Sequence, residues 1–514
     1  MNGREPINGG NMKKILALLL TLVLCASMFA GCSGTSTAAD TQSDRVLHVG
    51  VAADTANFYP YVMTATSSLG FVYSLIYDNL VTVTGDGNVE MRVAESYEYS
   101  EDGTQLIFHL RQGVKFHNGD EVKASDVVFS YQHYCEEFYN GPFNGVSGCH
   151  ADDDYTVVFD LDYIYSDTVP YGVENMAIIS EDYYNEVGGA EGYEAAPIGC
   201  GPYKFVSYEP DTNSVYEAFD DYYLNKPSIK TIELDVIVDE TAMSNALESG
   251  DIDMAQISEE SIEVLEATGK YNFKSQETVN CPGILMNLTD EHWSNPLVRE
   301  AMAYALDRDQ MAAVVSPSGT VTGTSIWVPS VMQGYSEDVT TYSYDLEKAK
   351  SLMAEAGYPD GFDGGTIICN PAAATGAQLV QSQLAKIGIT LEIQQMDTST
   401  YYGTLFTMGY SIAFTNFGAN SLAELAGIFG TGGNMIWSGY SNSEFDELIA
   451  AYTQETDADK ANEIARQASE ILQEDLPWIK CYNYVESIAV SKDLDNFVYC
   501  DLGIACYDRL SWVK

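Results

Sequence analysis

Residues 231–257 read TIELDVIVDETAMSNALESGDIDMAQI. Ile232, Leu234, Val236 and Val238 fall on one face of Thr231–Val238, the period-2 pattern of a half-buried strand. Met243, Ala246 and Leu247 then follow helix spacing, and Gly250 stands where a left-handed C-terminal stop belongs. Asp251–Ile257 returns to an apolar strand. A strand, a helix and a strand in this order favour a right-handed parallel unit. The pattern recurs downstream, with a strand at Thr366–Cys369, a helix over Gln378–Lys386 and a strand at Ile389–Ile393. Two such units, well separated in the chain, predict an α/β protein of two lobes with mixed sheets flanked by helices.

The helices between and after these units have marked ends. Asn295-Pro296 supplies an N-cap and a first-turn proline, and Leu297, Val298, Ala301, Met302, Ala305 and Leu306 line one face. Asp345 caps a second helix whose inward face is Leu346, Ala349, Leu352, Met353 and Ala356, with Gly357 beyond its end. Phe445, Leu448, Ile449 and Tyr452 form a third stripe, and Ile464, Ala468, Ile471 and Leu472 a fourth. Residues 81–196 differ. Leu106/Phe108/Leu110 and Val157/Phe159/Leu161 alternate, and Gly85-Asp86-Gly87 and Asp102-Gly103 read as turns. This stretch is expected to be a β-rich subdomain inserted into the first lobe.

The chain has 514 residues, enough for about three domains or subdomains at roughly 150 residues each. It carries 24 Lys+Arg against 75 Asp+Glu, a formal charge of −51, yet 46 % of its residues are hydrophobic. That composition fills a core and excludes a disordered acidic tail. A surface this negative repels nucleic-acid backbones and anionic bilayers, so neither is an expected partner.

Lys13 and Lys14 precede the apolar run Ile15–Leu24, which is short for a membrane span and fits an export signal. Met12 is the preferred start. Phe29-Ala30-Gly31-Cys32 resembles a bacterial lipobox, in which small residues precede a lipidated Cys. Residues 1–31 are thus expected to be removed, Cys32 to carry lipid, and residues 32–44 to form a flexible tether. The product is expected at the outer face of the cell membrane. Of the remaining cysteines, Cys135/Cys149 and Cys500/Cys506 are the short-loop candidates for disulfides. Spacing leaves their connectivity open, with free buried thiols as the alternative.

The sequence offers no catalytic motif. None of the six histidines forms H-E-x-x-H, and neither G-x-S-x-G nor a P-loop occurs. His117-Asn-Gly-Asp120-Glu121 reads as a turn leading into a helix rather than a metal site, with Ser125 or Asp126 near the cap. Asp152-Asp153-Asp154 lacks the glycine and the terminal Glu of a calcium loop. No cofactor and no metal are expected, and the chain is read as a non-enzyme.

Leu106–Ser130, LIFHLRQGVKFHNGDEVKASDVVFS, resembles the signature block of the family 5 extracellular solute-binding proteins. These are the dipeptide-, oligopeptide- and nickel-binding receptors of ABC importers. Pro197-Ile-Gly-Cys-Gly-Pro-Tyr203 is similar to the family's "GTGPY" turn, with Cys200 in place of Thr. Asn295–Arg308, Tyr344–Lys350, Glu355–Pro359, Ser441–Asp446 and Glu474–Pro477 follow in the family's order. The resemblance implies the periplasmic-binding-protein type, a two-lobe receptor with a large extra subdomain. Ligand is enclosed in a cleft between the lobes and delivered to a permease and its ATPase. Lobe I is expected at 45–282, lobe II at 283–478, and a C-terminal segment, 479–514, returning to lobe I. A monomer is expected.

In peptide-binding members an aromatic-x-x-Asp segment runs beside the ligand, pairing with its backbone and neutralising its ammonium. The matching positions are Phe417, Gly418, Ala419 and Asn420, where an amide replaces the usual carboxylate and removes the charge-assisted part of the contact. Tyr59, Tyr61 and Trp437 are further candidates for aromatic contact with ligand. The resemblance implies peptides or a similarly sized polar solute. An oligosaccharide receptor of the same family, or a secreted cell-surface hydrolase, stays open as an alternative.

Overall fold

Alternation along Val46–Val51 sets the centre of the first sheet. Leu47, Val49 and Val51 turn into the main core, while His48 and Gly50 face the other side. The computed structural model describes residues 45–513 except 56, 62–68, 85–87, 138–142, 144, 163, 165–167, 317–318, 419–421, 434–437, 456 and 500–504. The expected export signal, Cys32 and the tether lie outside the described residues.

With Val46–Val51 as β1, the first sheet has seven strands. From edge to edge they are β12 (Tyr271–Glu277), β18 (Val485–Ser491), β11 (Met254–Ile257), β1, β10 (Thr231–Val236), β9 (Asn213–Ala218) and β8 (Tyr203–Glu209). Both β10 and β11 run parallel to β1. The predicted strand–helix–strand unit is present, with β1 seated between its two strands. Its helix, Glu240–Ser249, is capped by Asp239, which accepts from Ala242 N, and is stopped by Gly250 at φ 87°. A Cβ at Gly50 would lie 2.4 Å from Met243 Sδ, so glycine lets this helix sit flat on β1.

A second, antiparallel sheet has the order β4 (Ala94–Tyr99), β5 (Gln105–Leu110), β7 (Thr156–Leu161) and β6 (Val146–Asp153). A ribbon of β2 (Val81–Val83) and β3 (Val89–Met91) precedes it. Leu106, Phe108, Val157 and Phe159 join the same core as β1, so this β-rich insert is fused to the first lobe. The helix Ala124–Glu137 packs on it.

The third sheet, of the second lobe, has the order β15 (Ile389–Gln395), β14 (Phe362–Cys369), β16 (Ile412–Gly418), β13 (Asn280–Met286) and β17 (Trp478–Lys480). Strands β14 and β15 are parallel and joined through the helix Ala374–Leu384, as the second unit predicts. Alternation along β13 divides this lobe's interior in two. Ile284 and Met286 enter one cluster, and Cys281 and Leu285 the other. The capped helices appear where their sequences place them, at Pro296–Ala305 and Leu346–Glu355. Near the C-terminus β19 (Leu494–Asp495) pairs with β20 (Ser511–Trp512), and Ala505, Tyr507 and Leu510 are buried in the first-lobe core.

The chain crosses from the first main sheet to the other between β12 and β13, and returns between β17 and β18. The two crossings are tied to each other, because Thr278 N donates to Tyr484 O at 2.9 Å.

Candidate ligand-binding cleft

Strand β16 is paired unequally on its two sides. Toward β13 the ladder runs its full length, from Ile412 opposite Met286 to Gly418 opposite Asn280. Toward β14 it consists of Ile367–Ile412 and Ile368–Ala413 and stops there. Among the described residues no strand pairs with the Thr415–Gly418 edge on that side. Asn416 and Gly418 are exposed at this end. The free edge therefore lies beside the crossing, since Gly418 is opposite Asn280, the first residue of β13. A backbone row with unused donors and acceptors is a template for an added strand.

Two charged residues that the sequence did not single out meet at the crossing. Lys480 Nζ, on a side chain only 1 % exposed, lies 4.0 Å from Glu277 Oε1. Ser330 donates to the other oxygen of Glu277 at 2.5 Å. Burial pushes the Cys281 thiol up, and the Lys480 ammonium beside it works in the opposite direction. The pair ends β12 and β17, so one ion pair links the outgoing and returning strands. A lysine closing the buried run Trp478-Ile479-Lys480 was the available signal.

Of the predicted ligand-binding residues, Phe417 and Gly418 close β16, and a Cβ at Gly418 would lie 2.5 Å from Asn280 Oδ1. Ala419, Asn420 and Trp437 lie outside the described residues. Tyr59 and Tyr61 are each 1 % exposed and lie in the first-lobe core. Their rings pack edge-on to one another at 5.7 Å, and Tyr59 also meets Tyr184 and Tyr193, both at 6.0 Å. Tyr61 donates its hydroxyl to Ala177 O. Both rings are held by aromatic packing, and the Tyr61 hydroxyl is satisfied as well. Cys135 and Cys149 are free thiols, so the first short-loop pairing is not formed; Cys506 is disulfide-bonded, and Cys500 lies outside the described residues.

Other motif residues act as joints. His117 N donates to Gly199 O at 2.9 Å, and Gly199 N donates to His117 Nδ1 at 3.2 Å. His117 Nε2 donates to Gly201 O at 3.0 Å. The His117-Asn-Gly-Asp120 turn is thereby fastened to the Gly199-Cys-Gly201 turn. Asp126 accepts from Lys123 N and Glu181 N, fixing the start of the helix Ala124–Glu137. Arg299 donates to Trp293 O, Ser294 O and Asp475 O, and Arg308 to Ala303 O, Tyr342 O and Lys480 O. Buried guanidinium groups gather carbonyls that helix and strand ends leave unpaired. Burial pulls Arg308 down to about 10, and the three carbonyls carry no full charge to oppose it.

Gly199 is fitted against backbone: a Cβ there would lie 2.1 Å from Ile76 O. Gly199→Ala should therefore cost about 1–3 kcal/mol through overpacking. Urea denaturation checks this, and an unchanged midpoint would show that the turn can back away from Ile76.

The family model for bacterial extracellular solute-binding proteins, family 5 Middle, matches residues 88–434. The chain belongs to this family. It is 27 % identical to heme-binding protein A of Haemophilus influenzae, over 96 % of this chain and 97 % of that protein. It is 26 % identical to the dipeptide-binding protein of Escherichia coli, over 88 % and 92 %. Among solved structures, HbpA2 of Haemophilus parasuis superposes with a TM-score of 0.84 at 25 % identity, covering 91 % of this chain and all of that one. The oligopeptide-binding protein AppA of Bacillus subtilis, solved with a nonapeptide, gives 0.73 at 23 % identity, over 92 % and 100 %. The family 5 protein described here has the two-lobe binding-protein fold and is a solute-binding receptor, not an enzyme. No described helix is long and apolar enough to cross a membrane.

Proposed function

We propose that this receptor captures di- to oligopeptides, or a polar solute of similar size, by lobe closure and delivers them to an ABC permease. The observation that carries the reading is the Thr415–Gly418 edge of β16 beside the interlobe crossing, which no strand among the described residues pairs with on its β14 side. An extended peptide satisfies such an edge by strand addition, its backbone giving affinity and side pockets giving selectivity. Closure follows because ligand held by both lobes binds the closed form better than the open one. Lipid on Cys32 would hold the monomeric body at the outer face of the membrane.

A thermal-shift screen of the lipid-free chain against di- to hexapeptides, oligosaccharides, hemin and metal chelates tests this. A peptide present at 100 times its dissociation constant should stabilise the protein by about 2.7 kcal/mol. A melt moved by hemin or a sugar and by no peptide would overturn the peptide reading. With a peptide in hand, Asn420→Asp should tighten binding of the free-amine form by about 1 kcal/mol, roughly fivefold. The N-acetylated form should show no gain. Equal effects on both forms would remove residue 420 from the ammonium site.

A further inference from the structure

The outer face of the seven-stranded sheet carries a different constellation. His48 on β1 is opposite Glu233 on β10 in the parallel ladder, and Asp235 stands two residues beyond Glu233 on the same face. His48 Nδ1 lies 3.0 Å from Asp235 Oδ2 and 4.0 Å from Glu233 Oε2. The three donor atoms lie within 4.8 Å of one another. Neighbouring groups orient them. Asn213 on β9 donates to Glu233 Oε1, leaving Oε2 toward His48, and the His48 backbone N donates to Asp253 Oδ2 at 3.1 Å. The side chains are 36 %, 23 % and 25 % exposed, so they are partly shielded and still reachable by an ion. Among the described residues neither Glu233 nor Asp235 is paired with a Lys or Arg. The imidazole is the one basic side chain paired with them there.

One imidazole nitrogen and two carboxylate oxygens are three ligands for a borderline divalent ion, with water completing the shell. Bonds of about 2.1 Å need ligand atoms about 3.3 Å apart, which small rotamer changes provide. Asn213 then acts as the outer partner that fixes a ligating carboxylate. We propose that His48, Glu233 and Asp235 bind a single zinc-type divalent cation, separately from the solute cleft. Strands β18, β11 and β1 stand between β10 and β12, whose end leads to the second lobe. The ion would cross-link β1 to β10 and stiffen the centre of the first lobe.

Calorimetric titration of the chelator-stripped full chain with Zn²⁺ alone tests the site. One saturable event is expected. It should be lost in His48→Ala, weakened at least tenfold in Asp235→Asn and Glu233→Gln, and weakened several-fold in Asn213→Ala. Co²⁺ as a second probe should give visible ligand-field absorption in the wild type and none in His48→Ala. Asp235→Asn is nearly isosteric and keeps the test open should His48→Ala fold poorly. No saturable event would overturn the proposal. So would Zn²⁺ binding undiminished in His48→Ala, or displacement by equimolar Mg²⁺, because either marks a diffuse acidic surface.

Discussion

Arg92→Met should lower the unfolding free energy by about 3–5 kcal/mol, the cost of stranding a buried partner charge. The Arg92 guanidinium meets the Asp78 carboxylate through two contacts, Nε to Oδ1 at 3.0 Å and a terminal nitrogen to Oδ2 at 3.3 Å. It also donates to the Tyr222 hydroxyl at 2.7 Å and lies 3.7 Å from Asp508 Oδ2. Tyr222 and Tyr223 both donate to Asp78 Oδ2 at 2.8 Å. All three charged side chains are at most 9 % exposed. Methionine fills much of the arginine volume but leaves two carboxylates in the interior with one counter-ion gone. Asp508 belongs to the C-terminal segment, so the same change should loosen its seat on the first lobe. Urea denaturation measures the loss, and adding Asp78→Asn should recover part of it by removing one stranded charge. A loss under about 1 kcal/mol would mean that water reaches the network and screens it.

Acidification should weaken the protein through His117. Its imidazole is held neutral, with Nε2 donating to Gly201 O and Nδ1 accepting from Gly199 N, so a second proton has no acceptor. Burial pulls its pKa down to about 4, from 6.5 in the unfolded chain. Between these values the unfolded chain binds the proton and the folded one resists it. The contribution is thus full above pH 6.5 and is lost progressively toward pH 4, by about 3 kcal/mol in total. Asp126 acts in the opposite sense. Burial pushes its carboxyl up to about 6, so folding gains from its protonation as pH falls through that range. Comparing the wild type with His117→Gln isolates the histidine. The variant keeps a donor and an acceptor and should show a smaller stability difference between pH 7 and pH 4.5. Equal pH dependence in the two proteins would remove His117 as the acid-sensitive joint.

The same residue shows how much of the molecule was legible. Periodicity and caps placed both strand–helix–strand units and the helices begun by Asn295 and Asp345, because those signals depend on neighbours a few residues away. The likeness of Leu106–Ser130 to its family pointed to the right fold. It did not say what His117 does, which depends on a turn about 80 residues later. The burial of Tyr59 and Tyr61 was not legible for a related reason. An aromatic after a first strand looks the same in sequence whether it faces ligand or a cage of Tyr184 and Tyr193. The Glu277–Lys480 pair and the His48, Glu233 and Asp235 cluster were hidden, since each joins strands far apart in the chain.

The sequence by itself determined the α/β character, the two lobes, the helix ends and membership of a receptor family, all of which rest on local pattern. Tertiary structure decided which motif residues are joints, which strand edge is left open, and where charges meet. Those properties arise from pairing between distant strands, where one carboxylate among 75 gains meaning only from the side chain it is brought to face.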